Sequence, residues 1–215
     1  MNSRRMVVGV LAACLMTSVA VADAADADFG ANWQGFYLGL GGGYANAAKH
    51  ITSPKSFSTN TDIGLVGLYT GYNRQINNVI IGIEADAYLG FGGPTPLAGL
   101  DLPSVLKSKV GGSWSVRGRL GLAYGRFMPY VSGGYAGSTS KLTFASGLVG
   151  SDSKALHGWT IGAGAEYKIH EKWRMRVDYQ YQVFGAQTYF ESGPAPALTQ
   201  NVDIHQVTIG MARQF

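Results

Sequence analysis

Eight ionisable side chains carry the strongest chemical signal in this sequence: the carboxylates Glu84, Asp86, Glu166 and Asp178 and the guanidiniums Arg117, Arg119, Arg174 and Arg176. Most are spaced two apart, in "EAD", "RGR" and "RMRVD", with a small or apolar residue between. Such groups could be taken for an acid–base site. Four acids against four bases is also the balance expected if each charge, once removed from water, must find a partner. A hydrolase would add a Ser/His pair, but His50, His157, His170 and His205 lie in separate segments and no motif ties one to a serine. No Cys/His cluster or carboxylate-rich loop has metal-ligand spacing. His50 and His157 could ligate a haem, although two loop histidines are few for that purpose. The sequence implies no cofactor and no catalytic residue.

The elements that must position these charges are strands. In "WRMRVDYQYQV", Trp173 to Val183, apolar residues hold the odd positions and Arg174, Arg176, Asp178, Gln180 and Gln182 the even ones. A period of two puts the sets on opposite faces of a strand. Eight candidate strands of this kind follow one another with no helix between them: 33–45, 62–75, 79–90, 113–125, 129–140, 157–169, 172–184 and 202–215. Each is about as long as a tilted membrane strand.

Their connections alternate in length. "INN", "RFM" and "HE" follow the second, fourth and sixth strands, whereas the other links run 16, 22, 16 and 17 residues and are rich in Ser, Thr, Gly and Pro. In an up-and-down array all short links fall at one edge and all long ones at the other. Outer-membrane barrels sort their connections in this way, with short periplasmic turns and long extracellular loops. A soluble sandwich has no reason to, although a lipocalin-like barrel could in part.

Composition agrees. Only 14% of the 215 residues are charged, against about 25% in an average soluble protein. The 31 glycines and 12% aromatics favour short strands and tight turns. Residues 1–22 read as a cleaved signal peptide: "MNSRR", then the apolar "MVVGVLAACLM", then a small-residue end with Ala20 and Ala22 at the A-x-A positions. "LAAC" offers a second reading, with Cys14 as a lipidated residue and a shorter apolar core. Cleavage after Ala22 removes Cys14, the one cysteine, and lowers the net charge from +4 to +2 by removing Arg4 and Arg5. Such a balance suggests no nucleic-acid partner. Residues 23–32 form an acidic, Ala-rich spacer, and no later apolar run is long enough for a transmembrane helix. Trp33, Trp114, Trp159 and Trp173 all lie near strand ends, two at each rim, as an aromatic girdle at each membrane interface requires.

The segments "WQGFYLGLGGGY", "GYNRQINNVIIGIEADA", "RGRLGLAYGRFMPYVSGGYA", "GWTIGAGAEYKIHEKWRMRVDYQY" and the terminal "VTIGMARQF" resemble the small eight-stranded outer-membrane proteins of Gram-negative bacteria. The closest likeness is to the surface antigens called porin-family or outer membrane protein β-barrel proteins, with the opacity proteins and the OmpA membrane domain more distant. It covers residues 33–215. The resemblance implies an all-β, eight-stranded antiparallel up-and-down transmembrane β-barrel, outer-membrane lipids and lipopolysaccharide around it, and a surface or host ligand at the loops. It also implies that the barrel-insertion machinery reads Val207, Ile209, Met211 and Phe215. On this reading the apolar face of "WRMRVDYQYQV" meets lipid and the eight charges form a salt-bridged plug, because an eight-stranded barrel is just filled by side chains. Gly121, Gly162 and Gly164 would leave room for them, while the Gly-rich first, second and fifth strands leave their faces unassigned. Four long loops on a closed barrel suit a structural surface protein. A narrow porin or a haem-capturing protein is the alternative.

Overall fold

The computed structural model describes residues 31–53, 57–91, 95–96, 106–144, 151–189 and 198–215. Its eight long strands are β1 (Gly35–Ser53), β2 (Phe57–Ile76), β3 (Val79–Phe91), β4 (Leu106–Leu122), β5 (Phe127–Phe144), β6 (Ser151–His170), β7 (Trp173–Tyr189) and β8 (Leu198–Gln214). Neighbours in sequence pair antiparallel throughout. β1 also pairs with β8, from Tyr37 opposite Gln214 to Ser53 opposite Thr199, which closes the sheet into a barrel. The two-residue strand Thr95–Pro96 pairs with Lys107 and Ser108 of β4. The expected leader lies outside the described residues, as does the spacer up to residue 30.

At one end, here the turn end, two-residue turns join the strands. Asn77 takes φ 53° between β2 and β3, a conformation asparagine tolerates, and Gly125 takes φ 57° between β4 and β5. The latter turn is closed by reciprocal hydrogen bonds between Tyr124 and Phe127, at 2.8 and 3.0 Å.

The other end departs from expectation. Segments read as long loops are mostly strand: β1 runs on to Ser53 and β2 begins at Phe57, so the first link shrinks to residues 54–56. Seven of the eight strands span 17 to 20 residues, against about 9 to 11 needed to cross a membrane. The sheet therefore continues beyond the bilayer as a collar. On the outer face of β2, Arg74 and Asp62 bracket Tyr72, Thr70, Leu68, Val66 and Gly64. Twelve residues at about 3.4 Å each, tilted by roughly 40°, rise about 30 Å and so enclose a membrane band of about 25 Å.

The faces of the Gly-rich strands are now fixed. Tyr37, Tyr69 and Tyr130 point inward and are buried; Phe36, Leu38, Leu40, Val66, Leu68, Val131 and Tyr135 point outward. Apolar residues therefore meet lipid around the whole circumference.

Candidate functional site

The even-numbered residues of β3, β6 and β7 and the odd-numbered residues of β4 point into the barrel, and this alternation brings the eight charges together. All eight are buried. Glu84 is the centre. Its Oε1 accepts from Arg117 Nη2 at 2.7 Å, and its Oε2 from Arg176 Nη1 at 2.7 Å, Arg119 Nη1 at 2.9 Å and the Tyr37 hydroxyl at 2.7 Å. One carboxylate thus serves three guanidiniums.

Arg117 is the second node. It reaches Glu84, then Asp86 at 3.1 Å and Asp178 at 3.2 Å. Asp86 also accepts from Ser115 Oγ at 2.6 Å, and Asp178 from the Tyr130 hydroxyl at 2.7 Å and Gln180 Nε2 at 2.9 Å. Arg119 bridges Glu84 to Glu166, at 2.7 Å from the latter. Arg174 lies 3.1 Å from Glu166 as an ion contact whose geometry is not that of a hydrogen bond. Tyrosine rings complete the packing: Arg176 sits 3.4 Å over Tyr69, Arg174 3.8 Å over Tyr37 and Arg119 4.0 Å over Tyr130. Such cation–π contacts strengthen when water is excluded.

The ladder alone does not set these partners. Glu84 lies opposite Arg117 in register, as expected from adjacent strands. Arg176 lies opposite Glu166, yet its guanidinium crosses the barrel to Glu84. Register alone would pair Arg176 with Glu166, and the structure corrects that pairing. Glycines on β6 leave room for the partners of Asp178: a Cβ on Gly164 would stand 2.6 Å from the Tyr130 hydroxyl, and one on Gly162 would stand 3.2 Å from Arg117 Nη1.

A fifth buried base, Lys168, escaped the sequence reading although it shares the parity of Glu166 on β6. Its ammonium donates to the carbonyls of Asn32 and, at 3.3 Å, Glu171. Tyr37, Tyr69 and Tyr130 were not assigned from sequence because they stand on Gly-rich strands without clear alternation, whereas Tyr88 on β3 shares the inward parity of Glu84 and Asp86.

Trp33 requires a second correction. It is no part of an outer girdle: it is fully buried inside the turn end, two residues before β1 begins. Its indole N–H donates to the Gly125 carbonyl at 3.1 Å, a partner that the lipid face could not offer. Trp114, Trp159 and Trp173 do lie on the outer surface. Trp114 packs on Tyr135 and Trp159 edge-on against Tyr181, with centroids 5.9 and 6.2 Å apart. Val207, Ile209 and Met211 on β8 and Phe215 just after it face outward, and the Phe215 N–H donates to the Phe36 carbonyl at 2.9 Å.

The histidines form no common site among the described residues. His157 is exposed and stacks on Tyr135, with centroids 6.0 Å apart. His205 shares a 2.8 Å hydrogen bond with the Tyr179 hydroxyl, and His170 is exposed at the turn end. The side chain of His50 lies outside the described residues. Above the ion network, Gln180 and Gln182 lead to an apolar cluster of Ala45, Ala47, Ile63, Leu65, Leu156, Phe184, Val202 and Ile204. The gap lined by Ala45, Ile63, Leu65 and Ile204 measures about 10 Å³, the room of one water at most. The arrangement can neutralise charge and fill space; its acids are all engaged with cations.

Residues 11–215 match the model of the outer membrane protein beta-barrel domain. The chain is 32% identical over 207 residues to a 31 kDa outer-membrane immunogenic protein of Brucella melitensis biotype 1, covering 86% of this chain and 84% of that protein. It is also 32% identical over 185 residues to a 25 kDa outer-membrane immunogenic protein of Brucella abortus, covering 86% and 80%. The crystal structure of Ail, the attachment invasion locus protein of Yersinia pestis, superposes with a TM-score of 0.52 at 14% identity, over 85% of this chain and 99% of that one, a likeness of fold alone. With the closed barrel and its lipid-facing band, these matches show that the chain belongs to the outer membrane protein beta-barrel domain family and resides in the outer membrane of a Gram-negative bacterium.

Proposed function

We propose that the protein is a structural, surface-exposed barrel, closed to solutes, that presents the long-link end to the outside and contributes to envelope integrity or surface contact. One observation carries this: Glu84, bound by three guanidiniums and a tyrosine, ties β3 to β4 and β7 across a lumen that side chains fill. A pore needs a water column there, and catalysis needs an acid or base free to exchange a proton. The name of the Brucella relatives, immunogenic proteins of the outer membrane, supports a surface position. The aromatic belt would contact lipopolysaccharide and other outer-membrane lipids, and the terminal row ending at Phe215 would meet the insertion machinery.

In a planar bilayer the detergent-folded protein is expected to show no steady conductance. An epitope inserted near Pro96 or Ala195 is expected to be reachable by antibody on intact cells, and one at His170 is not. A large, stable wild-type channel would overturn the closed reading, and surface labelling at His170 would overturn the orientation.

A further inference from the structure

We infer that residues 31–34 form a built-in stopper for the turn end of the barrel, hinged at Gly35 and clasped by Gln214. Trp33 is the stopper's body. It fills a pocket with Ile80, Ala123, Met128 and Tyr130, and its backbone N–H donates to Gln75 Oε1 at 2.8 Å. Two cations flank the indole ring, Lys168 Nζ at 5.1 Å and Arg174 Cζ at 6.0 Å from its centroid. The backbone is held as firmly as the ring. Gln214 Nε2 donates to the carbonyls of Asn32 at 3.0 Å and Gln34 at 2.6 Å, and Lys168 donates to Asn32 as well.

The entry of this segment depends on one residue. Gly35 takes φ 127°, which side chains rarely adopt, and a Cβ there would stand 2.6 Å from the Phe215 carbonyl oxygen. The chain can therefore turn inward beside its own carboxy terminus only with glycine at this place.

The stopper's partners come from four separate parts of the wall: β2 supplies Gln75, the turn after β4 Gly125, β6 Lys168 and β8 Gln214. These groups surround one point only when β1 has paired with β8, so the stopper seats after the barrel closes. Once seated it covers Arg174, which has no hydrogen-bond acceptor among the described residues and relies on Glu166 and two aromatic rings. Ion and cation–π contacts of this kind weaken when water raises the local dielectric. Undocking would admit water to this lower layer while the apolar cluster at the far end stayed shut. The inference stands whichever end faces the cell exterior.

Cysteine accessibility tests it, because Cys14 is the one native cysteine and can be replaced by serine. Ala123→Cys reports on the pocket beside Trp33, and Ala47→Cys on the apolar cluster; both alanines are buried. With the stopper intact, an impermeant methanethiosulfonate reagent should label neither site in the detergent-folded protein. Adding Trp33→Ala or Gly35→Ala should speed labelling of Ala123→Cys by about tenfold or more, since the rate tracks the open population, and leave Ala47→Cys protected. Gln214→Ala removes the clasp without touching the buried ring and keeps the test available if Trp33→Ala fails to fold. Equal labelling of Ala123→Cys with and without the stopper would overturn the inference. So would simultaneous exposure of both cysteines, which would make Trp33 ordinary packing for the whole barrel.

Discussion

On β8, Gln206 and Thr208 point into the barrel while Val207 and Ile209 meet lipid; a few residues earlier on the same strand, Val202 and Ile204 point inward while Asp203 and His205 face out. The polarity of the two faces has exchanged. No bulge makes the exchange, because the pairing of β1 with β8 runs unbroken from Lys49 opposite Val202 to Tyr37 opposite Gln214. β2 behaves alike: Ile63 and Leu65 lie inside it near the collar, whereas Tyr69 and Asn73 lie inside its lower half. The difference follows from the surroundings. Within the bilayer the outer face must be apolar, and the interior can hold ions if all are paired. Above the bilayer water bathes the outside, so the apolar residues turn inward as they do in a soluble barrel.

The two halves should fail differently. In the membrane half, Arg117→Ala leaves Asp86 and Asp178 without their guanidinium, and breaking a buried pair costs about 3 to 5 kcal/mol. Urea unfolding of the detergent-folded barrel would measure this, as the largest effect expected here. The shared geometry also says which second change helps. Asp86 has Arg117 as its one ion-pair partner among the described residues, so adding Asp86→Asn should recover part of the loss. Glu84→Gln should deepen it, because Arg176 would lose its carboxylate and Arg119 would keep only Glu166. Equal stability of all three variants would mean that water fills the lumen.

A smaller effect should locate the boundary between the halves. Ile209 and Asp203 share the outer face of β8, six residues apart. Ile209→Lys places a charge in the lipid band at a cost of about 2 to 4 kcal/mol, depending on depth. Asp203→Lys faces water and should stay within about 0.5 kcal/mol of wild type. Equal costs at the two positions would abolish the boundary drawn here.

This boundary also explains what the sequence showed and hid. In "VIIGIEADAYLG" and "WRMRVDYQYQV" the alternation keeps one phase, so the faces of β3 and β7 and their five charges were legible, and the parity of β4 and β6 gave Arg117, Arg119 and Glu166. In "VDIHQVTIG" the inward set changes from Val202 and Ile204 to Gln206 and Thr208, so hydrophobicity alone does not name the inner face, although the strand itself was expected over 202–215. The Asn, Ser, Thr and Lys of 46–61 read by composition as loop, which is why that segment was expected to be one. Trp33 misled for another reason. A tryptophan at a strand end reads as a girdle residue, and only the glycine two positions later hinted that the chain turns inward. Lys168 was legible in principle, since its parity with Glu166 places it inside. The crossing of Arg176 to Glu84 was not, because strand register alone places Arg176 opposite Glu166 and the reach across the lumen depends on the barrel's diameter.

The smallest predicted effect lies at the boundary itself. Tyr179 and His205 stand on the outer face of adjacent strands, joined by the 2.8 Å hydrogen bond, with the Tyr181 ring 4.8 Å from the imidazole. Above them Asp203 meets water, and below them Val207 and Ile209 meet lipid. A hydrogen bond between groups that can exchange partners with water contributes only about 0.5 to 1.5 kcal/mol, and less where exposed. Tyr179→Phe should therefore lower stability against urea by less than about 1 kcal/mol, because headgroups or water can take over the imidazole nitrogen. If His205 were instead sunk in hydrocarbon, the same change would strand a polar nitrogen and cost about 1 to 3 kcal/mol. A loss in that range would push the membrane edge outward past His205, into the collar. It would then make the apolar cluster around Phe184 and Ile204 part of the embedded barrel, and the exchange of faces would need a cause other than the surrounding medium.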